Sequence, residues 1–162
     1  MPVLRDLPGL DSDFDAERAV RAGGLAALVY LGVMYVDMAI TGSPSDDLLM
    51  LGRTVTADPR RARIVGFLAH TGFSITLSLA YASYTRRRLL GPAWARGLTM
   101  LMAENTLLWP LTWLVDRRHP AMRAGDLPKL NRPLPMAQQV VRHIAFGVAL
   151  GLLYGEGKGT HT

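Results

Sequence analysis

The chain has 162 residues, enough for one domain, and it contains no cysteine. The absence of cysteine excludes disulfides, thiolate metal sites and cysteine-ligated iron–sulfur clusters. The formal net charge is +5, but the basic residues lie in separate loops rather than on one face, which argues against nucleic-acid binding. Their position beside apolar segments is typical of proteins that contact the anionic head groups of a lipid bilayer.

Four long apolar segments dominate the chain, and each reaches the length of about 20 residues that a membrane-spanning helix needs. Residues 64–84 carry no Lys, Arg, Asp or Glu, whereas a surface helix of a soluble bundle carries charge on its outer face. We therefore predict an all-α, integral membrane four-helix bundle that forms a single membrane domain over 1–162, with flexible ends at 1–11 and 156–162. The predicted spans are about 20–41, 63–84, 93–115 and 136–155.

The segments between these spans carry local signals of their own. Asp46 and Asp47 precede a short apolar run, which predicts an interfacial helical turn with its apolar residues facing the membrane. Pro110 predicts a kink in the third span that frees the carbonyl of Thr106. The last loop, about 116–135, holds four prolines and is predicted to be irregular or extended.

An even number of spans places both termini on the same side of the membrane. The basic residues are divided almost equally, with eight on the side of the termini and ten on the other, so their number does not set the orientation. The dense cluster Arg86–Arg88 in a very short loop favours cytoplasmic termini.

One sequence pattern occurs twice, with histidine, phenylalanine, small residues, leucines and tyrosine at matching positions. The first copy runs from His70 to Tyr81 and the second from His143 to Tyr154, so matching residues lie 143 − 70 = 73 positions apart. The same offset relates a pair of glycines, Gly24 and Gly97. This pattern predicts two pseudo-repeated helical hairpins, related by a pseudo-twofold axis along the membrane normal.

Small residues recur at every fourth position in the second and fourth spans. Such spacing places them on one helix face, and small side chains let helix backbones approach closely in lipid. The predicted helix-packing residues are Ser74, Ser78, Gly147, Gly151 and Gly155.

Ionisable residues inside apolar spans are costly and need partners. Glu104 lies about midway along the third span, where a charge costs about 2.5–3.5 kcal/mol. Asp37, His70 and His143 lie toward one side of the membrane, near the ends of their spans. We predict an intramembrane polar network that comprises Asp37, His70, Glu104, Asn105 and His143.

Three functions are compatible with this network. In the first, it fixes helix register in an accessory or structural subunit that packs against itself or against other membrane subunits, without catalysis. In the second, Glu104, His70 and His143 serve a small proton, ion or solute transporter. In the third, His70 and His143 ligate a haem, or join Asp37 and Glu104 around a metal. No triad, phosphate-loop or zinc-protease motif is present, so no catalytic residue is assigned.

The order of these motifs resembles a known family. The first span ends with Met-x-x-Asp37-Met, and the fourth contains His143-x-x-Phe-Gly147-x-x-Leu-Gly151-x-x-Tyr154. Over about 20–155, the pattern resembles the YagU-like group of four-helix bacterial inner-membrane proteins of unknown function. The resemblance implies a multi-pass protein of the bacterial inner membrane, and it carries over no catalytic residue. The long Arg- and Pro-rich last loop departs from that group.

Overall fold

The computed structural model describes residues 13–155. The ends predicted to be flexible, 1–11 and 156–162, lie outside these residues. Within 13–155 the regular structure is helical and contains no strand, which confirms the all-α class. Three helical segments are long and apolar enough to cross a membrane, which indicates a membrane protein. They are Ala16–Thr41, Pro59–Arg88 and Pro133–Tyr154.

The first two long helices form an antiparallel hairpin. Helix α1 (Ala16–Thr41) begins after Asp15, whose carboxylate accepts a hydrogen bond from the backbone N–H of Arg18. It ends at Gly42, where φ is 66°, a value that favours glycine. The short helix α2 (Asp47–Gly52) follows, and α3 (Pro59–Ala80) then begins after Asp58, which caps the N–H of Arg61. A π-helical turn and a 3-10 turn extend α3 to Arg88.

The predicted third span, 93–115, is not one continuous helix. Helix α4 (Ala93–Leu108) has only 16 residues, and a 3-10 turn at Trp109–Leu111 separates it from α5 (Thr112–Arg118). Pro110 causes this break because proline lacks the N–H that an α-helix needs. The carbonyl of Thr106 is not freed as predicted, since it accepts a hydrogen bond from the N–H of Trp109. This segment is accordingly absent from the three spans identified within 13–155.

The last loop contains more helix than its prolines suggested. Pro120 begins α6 (Pro120–Ala124), and Pro133 begins α7 (Pro133–Tyr154). Proline is well tolerated in the first turn of a helix, because the N–H groups there have no partner within the helix. These prolines therefore start helices, and the segment between α6 and α7 is the part that remains irregular.

The short helix α2 is buried rather than turned toward the membrane. Leu48 and Leu49 are both buried, because α2 packs closely on the start of α3. A Cβ added at Gly52 would overlap the backbone of Ala62, and one added at Gly66 would overlap the backbone of Leu48. These two glycines allow a backbone-to-backbone approach that draws the apolar run inward.

The long helices pack in the order α3, α1, α7, α4. Helix α1 packs against both α3 and α7, while α4 packs against α7. The outer helices α3 and α4 meet mainly where the turns after α3 approach α4. Contacts at opposite helix ends show that neighbouring helices run antiparallel: the Ser78 hydroxyl donates to the carbonyl of Ala19, and the N–H of Asp15 donates to the Tyr154 hydroxyl.

The predicted small residues lie at two of these helix crossings. At the α1–α3 crossing, a Cβ on Gly23 would come within 2.8 Å of the Cβ of Ser78 and 2.9 Å of the carbonyl of Ser74. At the α4–α7 crossing, Gly97 lies against Gly147 and Gly151. The glycine that packs in α1 is thus Gly23, one position from the sequence match, because Gly24 faces open space. Gly155 lies beyond the crossing and ends α7 beside Arg18, with φ 73°.

Candidate functional site

An arginine lies completely buried inside the bundle. Arg142 on α7 has no exposed surface. Its Nε and Nη2 donate to the two carboxylate oxygens of Asp37 on α1, at 2.6 and 2.7 Å. Its Nη1 donates to Asp47 and to the backbone carbonyl of Ser45, at 2.8 Å each. The planar guanidinium suits this bidentate geometry, and two carboxylates pair with its single positive charge.

The beginning of α2 supplies one of these carboxylates. Asp46 caps the helix, because one carboxylate oxygen accepts a hydrogen bond from the N–H of Leu49 at 2.9 Å. Its second oxygen accepts a hydrogen bond from Nε of Arg63 at 2.7 Å. Asp47 follows as the first helical residue and turns toward Arg142. Negative side chains are favoured at a helix N-terminus, so the local sequence stabilises α2 and also directs a carboxylate into the bundle.

Two glutamines and a tyrosine complete the hydrogen bonds of these carboxylates. Gln138 donates to Asp37 at 2.6 Å, and Gln139 donates to Asp47 at 2.7 Å. The Tyr30 hydroxyl lies 2.7 Å from Asp47 and 3.0 Å from the side-chain oxygen of Gln139. Buried charge is tolerated where pairing and hydrogen bonding are both satisfied, and this arrangement meets that condition.

The ring of Tyr30 connects this ionic network to the two histidines. Its centroid lies 4.7 Å from that of His70 on α3 and 5.6 Å from that of His143 on α7. His143 in turn approaches Glu104 on α4, with Nε2 and Oε2 3.4 Å apart. Side chains from all four long helices therefore meet around Tyr30.

Four of the five predicted network residues belong to this cluster. Asp37 pairs with Arg142, Glu104 approaches His143, and His70 packs on Tyr30. Asn105, the fifth, is half-buried and makes no side-chain hydrogen bond to another residue within 13–155. The cluster includes five residues that the predicted network omitted: Tyr30, Asp47, Gln138, Gln139 and Arg142. Arg142 could have been selected from the sequence, because an arginine inside an apolar span needs a carboxylate partner. Asp37 lies in a span near the same side of the predicted membrane.

A second, smaller cluster lies at the opposite end of the bundle. Tyr154 is almost fully buried, and the guanidinium carbons of Arg18 and Arg86 lie 5.3 and 5.2 Å from its ring centroid. Tyr81 meets the same ring edge-to-face, with centroids 6.0 Å apart. Cation–π and aromatic contacts therefore tie the start of α1 to the ends of α3 and α7.

Several contacts join residues that are 73 positions apart. Asp13 pairs with Arg86, and Arg53 pairs with Asp126. The repeated tyrosines, Tyr81 and Tyr154, contact each other, and both repeated histidines contact Tyr30. Residues related by a twofold axis touch one another only near that axis.

The histidines are not arranged as an open pair of ligands. His143 Nδ1 lies 2.7 Å from the backbone carbonyl of Gln139, and Nε2 faces Glu104. A haem could use His143 only after one of these contacts is broken. Within 13–155, no group of three or more His, Cys, Asp or Glu residues is placed to hold a metal ion.

No protein-family model, curated protein or solved structure matches this chain.

Proposed function

We propose that the chain is a multi-pass protein of the bacterial inner membrane, folded as a four-helix bundle. The three long apolar helices support the membrane location, and the resemblance to the YagU-like group favours the inner membrane. The third span would consist of α4, the 3-10 turn and α5. Its close antiparallel packing supports this assignment, because α4 follows α7 from Gly97 beside Gly151 to Glu104 beside His143. The step of seven positions from Gly97 to Glu104 covers about 10 Å of depth.

We further propose that the two hairpins are pseudo-repeats. The contacts between residues 73 positions apart support an axis that passes near Tyr81–Tyr154 at one end and Arg53–Asp126 at the other. The use of Ser74 and Ser78 at one helix crossing, and of Gly147 and Gly151 at the other, agrees with the same relationship. Parallel repeats of this kind place their axis along the membrane normal.

The proposed role is that of an accessory or structural subunit. The main support for this role is the hydrogen bonding of Arg142. Its bonds to Asp37, Asp47 and Ser45 join α7 to α1 and to the segment that begins α2. An arginine held in this way fixes the relative position of helices and is not available to a ligand. Networks of this kind can specify one helix register in a setting where apolar packing alone is permissive.

The outer surface of the bundle suits lipid and membrane partners. Large apolar side chains are exposed on several helices, with Ile40 at 78% and Leu107 at 77%. In a membrane these side chains would contact acyl chains, or the apolar faces of a second copy or another membrane subunit. Contacts of the latter kind would make the protein part of an assembly.

Alkaline carbonate extraction followed by cross-linking in mild detergent tests this proposal. The chain is expected to stay with the membrane pellet and to cross-link through its exposed helices to itself or to other membrane subunits. Arg142→Met should reduce recovery of the cross-linked species, whereas Arg61→Met, which changes an exposed arginine of α3, should not. Release of the chain by carbonate, or a monomer without cross-linked partners, would contradict the proposal.

A second candidate is proton or ion transport through Glu104, His143 and His70. It is favoured by the approach of Glu104 to His143 in the interior and by a buried Nε2 of His70 that has no hydrogen-bond partner within 13–155. The test is proton flux into liposomes that contain the purified protein. Transport predicts flux that Glu104→Gln abolishes while the protein remains folded. Flux equal to that of empty liposomes would exclude this candidate.

A further inference from the structure

We propose that Glu104 and His143 bind one shared, exchangeable proton inside the helical bundle. These two side chains, on α4 and α7, form a proton-binding site in addition to the structural role proposed above, whether or not the protein moves protons across a membrane.

The Nδ1 atom of His143 carries a hydrogen. This nitrogen lies 2.7 Å from the backbone carbonyl oxygen of Gln139. A carbonyl oxygen only accepts hydrogen bonds, so Nδ1 must be the donor and must carry a hydrogen. A neutral His143 in this position therefore has an unprotonated Nε2.

The opposite side of the His143 ring faces Glu104. Nε2 lies 3.4 Å from Oε2 of Glu104, and that oxygen is buried without a hydrogen-bond partner within 13–155. Without a further proton, a lone pair of Nε2 would face a buried carboxylate oxygen. Both atoms would then lack a partner in a site that is poor in water, which is costly. One additional proton gives one of the two atoms a hydrogen to donate toward the other and so lowers this cost.

The proton has two positions with the same overall charge. On Nε2 it gives an imidazolium next to a carboxylate, and on Oε2 it gives a neutral imidazole next to a carboxylic acid. Movement between them breaks the bond to one atom and forms the bond to the other, and no other reactant is consumed. Exchange with the surroundings adds or removes one positive charge.

The charged groups around this pair favour the bound proton. Asp37 on α1 and Asp47 on α2 lie near the cluster, and Arg142 on α7 supplies a positive charge. With Glu104 ionised, the three carboxylates and the arginine leave a formal charge of −2, which one bound proton lowers to −1. The remaining titratable neighbours are the ring of Tyr30 and His70 on α3. A smaller uncompensated charge costs less inside a membrane.

Nuclear magnetic resonance on the full chain in detergent micelles tests the proposal. Ring ¹⁵N labels on histidine and side-chain ¹³C labels on glutamate report where each proton resides. At pH 7, His143 is expected to have a protonated Nδ1, with a second proton on either Nε2 of His143 or Oε2 of Glu104. An unprotonated Nε2 together with an ionised Glu104 in the unaltered protein would overturn the proposal.

Substitution gives an independent readout. Glu104→Gln presents an amide N–H₂ group that can donate to Nε2, so His143 should become a neutral ring. On acidification from about pH 10 to pH 6, a range in which an ordinary carboxylate stays ionised, this variant should take up one proton fewer per chain than the unaltered protein. Glu17→Gln is the matched control, because Glu17 is exposed and pairs with Arg21 outside the cluster. Equal proton uptake in the two variants would also overturn the proposal. Helical circular dichroism at the same pH establishes that both variants are folded.

Discussion

At the scale of single residues, Arg142 is expected to be the most sensitive position in the chain. Arg142→Met leaves the buried Asp47 and the partly buried Asp37 without their countercharge. Breaking a buried ion pair in this way typically costs about 3–5 kcal/mol. Arg142→Lys should be intermediate, because one ammonium retains the charge but cannot reproduce the four hydrogen bonds of the guanidinium. Unfolding in detergent, followed by circular dichroism, measures both.

Two further variants determine whether the loss of stability in Arg142→Met comes from the ionic network. Arg61→Met removes an exposed arginine from α3 and should change the free energy of unfolding little. Asp37→Asn combined with Arg142→Met removes one carboxylate together with the arginine, so it should be less destabilising than the sum of the single variants. If Arg142→Met and Arg61→Met are equally stable, the network does not hold the helices together.

His119 provides a pH dependence outside the spans. Its Nδ1 accepts the N–H of Ala121 and so caps α6, which requires an unprotonated nitrogen. Burial lowers the pKa of His119, and the nearby charge of Arg53 acts in the same direction. Because the folded-state pKa lies below the unfolded value of about 6.5, the unfolded state binds more protons in this window. The stabilisation is therefore complete above about pH 6.5 and is lost as the pH falls toward the folded-state pKa.

The expected result is faster hydrogen exchange of residues 119–126 at pH 5.5 than at pH 7.5, after correction for intrinsic exchange. Asparagine caps helices without titrating in this range, so His119→Asn should remove most of that difference. A variant that keeps the full pH dependence would show that another group is responsible.

At the scale of helices, the α4–α7 crossing should be intolerant of side-chain volume. A Cβ on Gly151 would overlap the carbonyl oxygen of Ala93, and one on Gly147 would lie 2.8 Å from the Cα of Leu98. Gly151→Ala should therefore force the helices apart and cost about 1–3 kcal/mol, as overpacking does. The measurement is again the free energy of unfolding in detergent.

Gly72 is the matched control for this prediction. It lies in α3, and a Cβ added there would meet no atom within 4 Å. Gly72→Ala should be neutral or slightly stabilising, within about 1 kcal/mol, because alanine is the better helix former. Equal effects of the two substitutions would mean that the crossing is looser than the structure indicates.

The sequence predicted these helices unevenly, for physical reasons. The helices α1, α3 and α7 were predicted because each is a long apolar run with few interruptions. The break after α4 was only partly predicted: Pro110 indicated a kink, but the local 3-10 bond from Trp109 to Thr106 depends on how the chain relaxes around it. The burial of α2 was not predicted, since it depends on Gly52 and Gly66 meeting the backbone of another segment.

The residues of the candidate site could likewise be predicted only in part from the sequence. Asp37, His70, Glu104 and His143 could be selected because polar side chains in apolar runs require partners. The partners themselves could not be selected from spacing along one helix: Asp37 and Arg142 are 105 positions apart. Nothing in the sequence was a reason to select Tyr30, because tyrosine is common in apolar helices. Only the fold brings its hydroxyl to Asp47.

At the scale of the whole molecule, the ionic network accounts for a difference between two helix contacts that the proposed repeat would make equal. A perfect twofold axis would make the contact of α3 with α4 equal to that of α1 with α7, yet only the second pair packs along its length. The network residues Tyr30, Asp37 and Arg142 lie at the contact between α1 and α7. The positions 73 residues away from them are Ala103, Pro110 and Ala69, respectively. The polar groups that hold one pair of helices together thus have no counterpart between the other pair.

The topology of the bundle is the last prediction. With four spans, cysteines introduced singly at Pro2 and Thr160 should react from the same side of intact vesicles, and the native chain has no cysteine to interfere. Leu90, 93% exposed between α3 and α4, should react from that side as well, whereas Val55, 72% exposed between α2 and α3, should react from the other. If α4 and α5 do not cross, Pro2 and Thr160 will react from opposite sides, while Leu90 and Val55 keep their difference. In right-side-out vesicles, labelling of Pro2 and Leu90 from outside only after permeabilisation would place the termini and the Arg86–Arg88 turn in the cytoplasm, as the concentration of positive charge there favours.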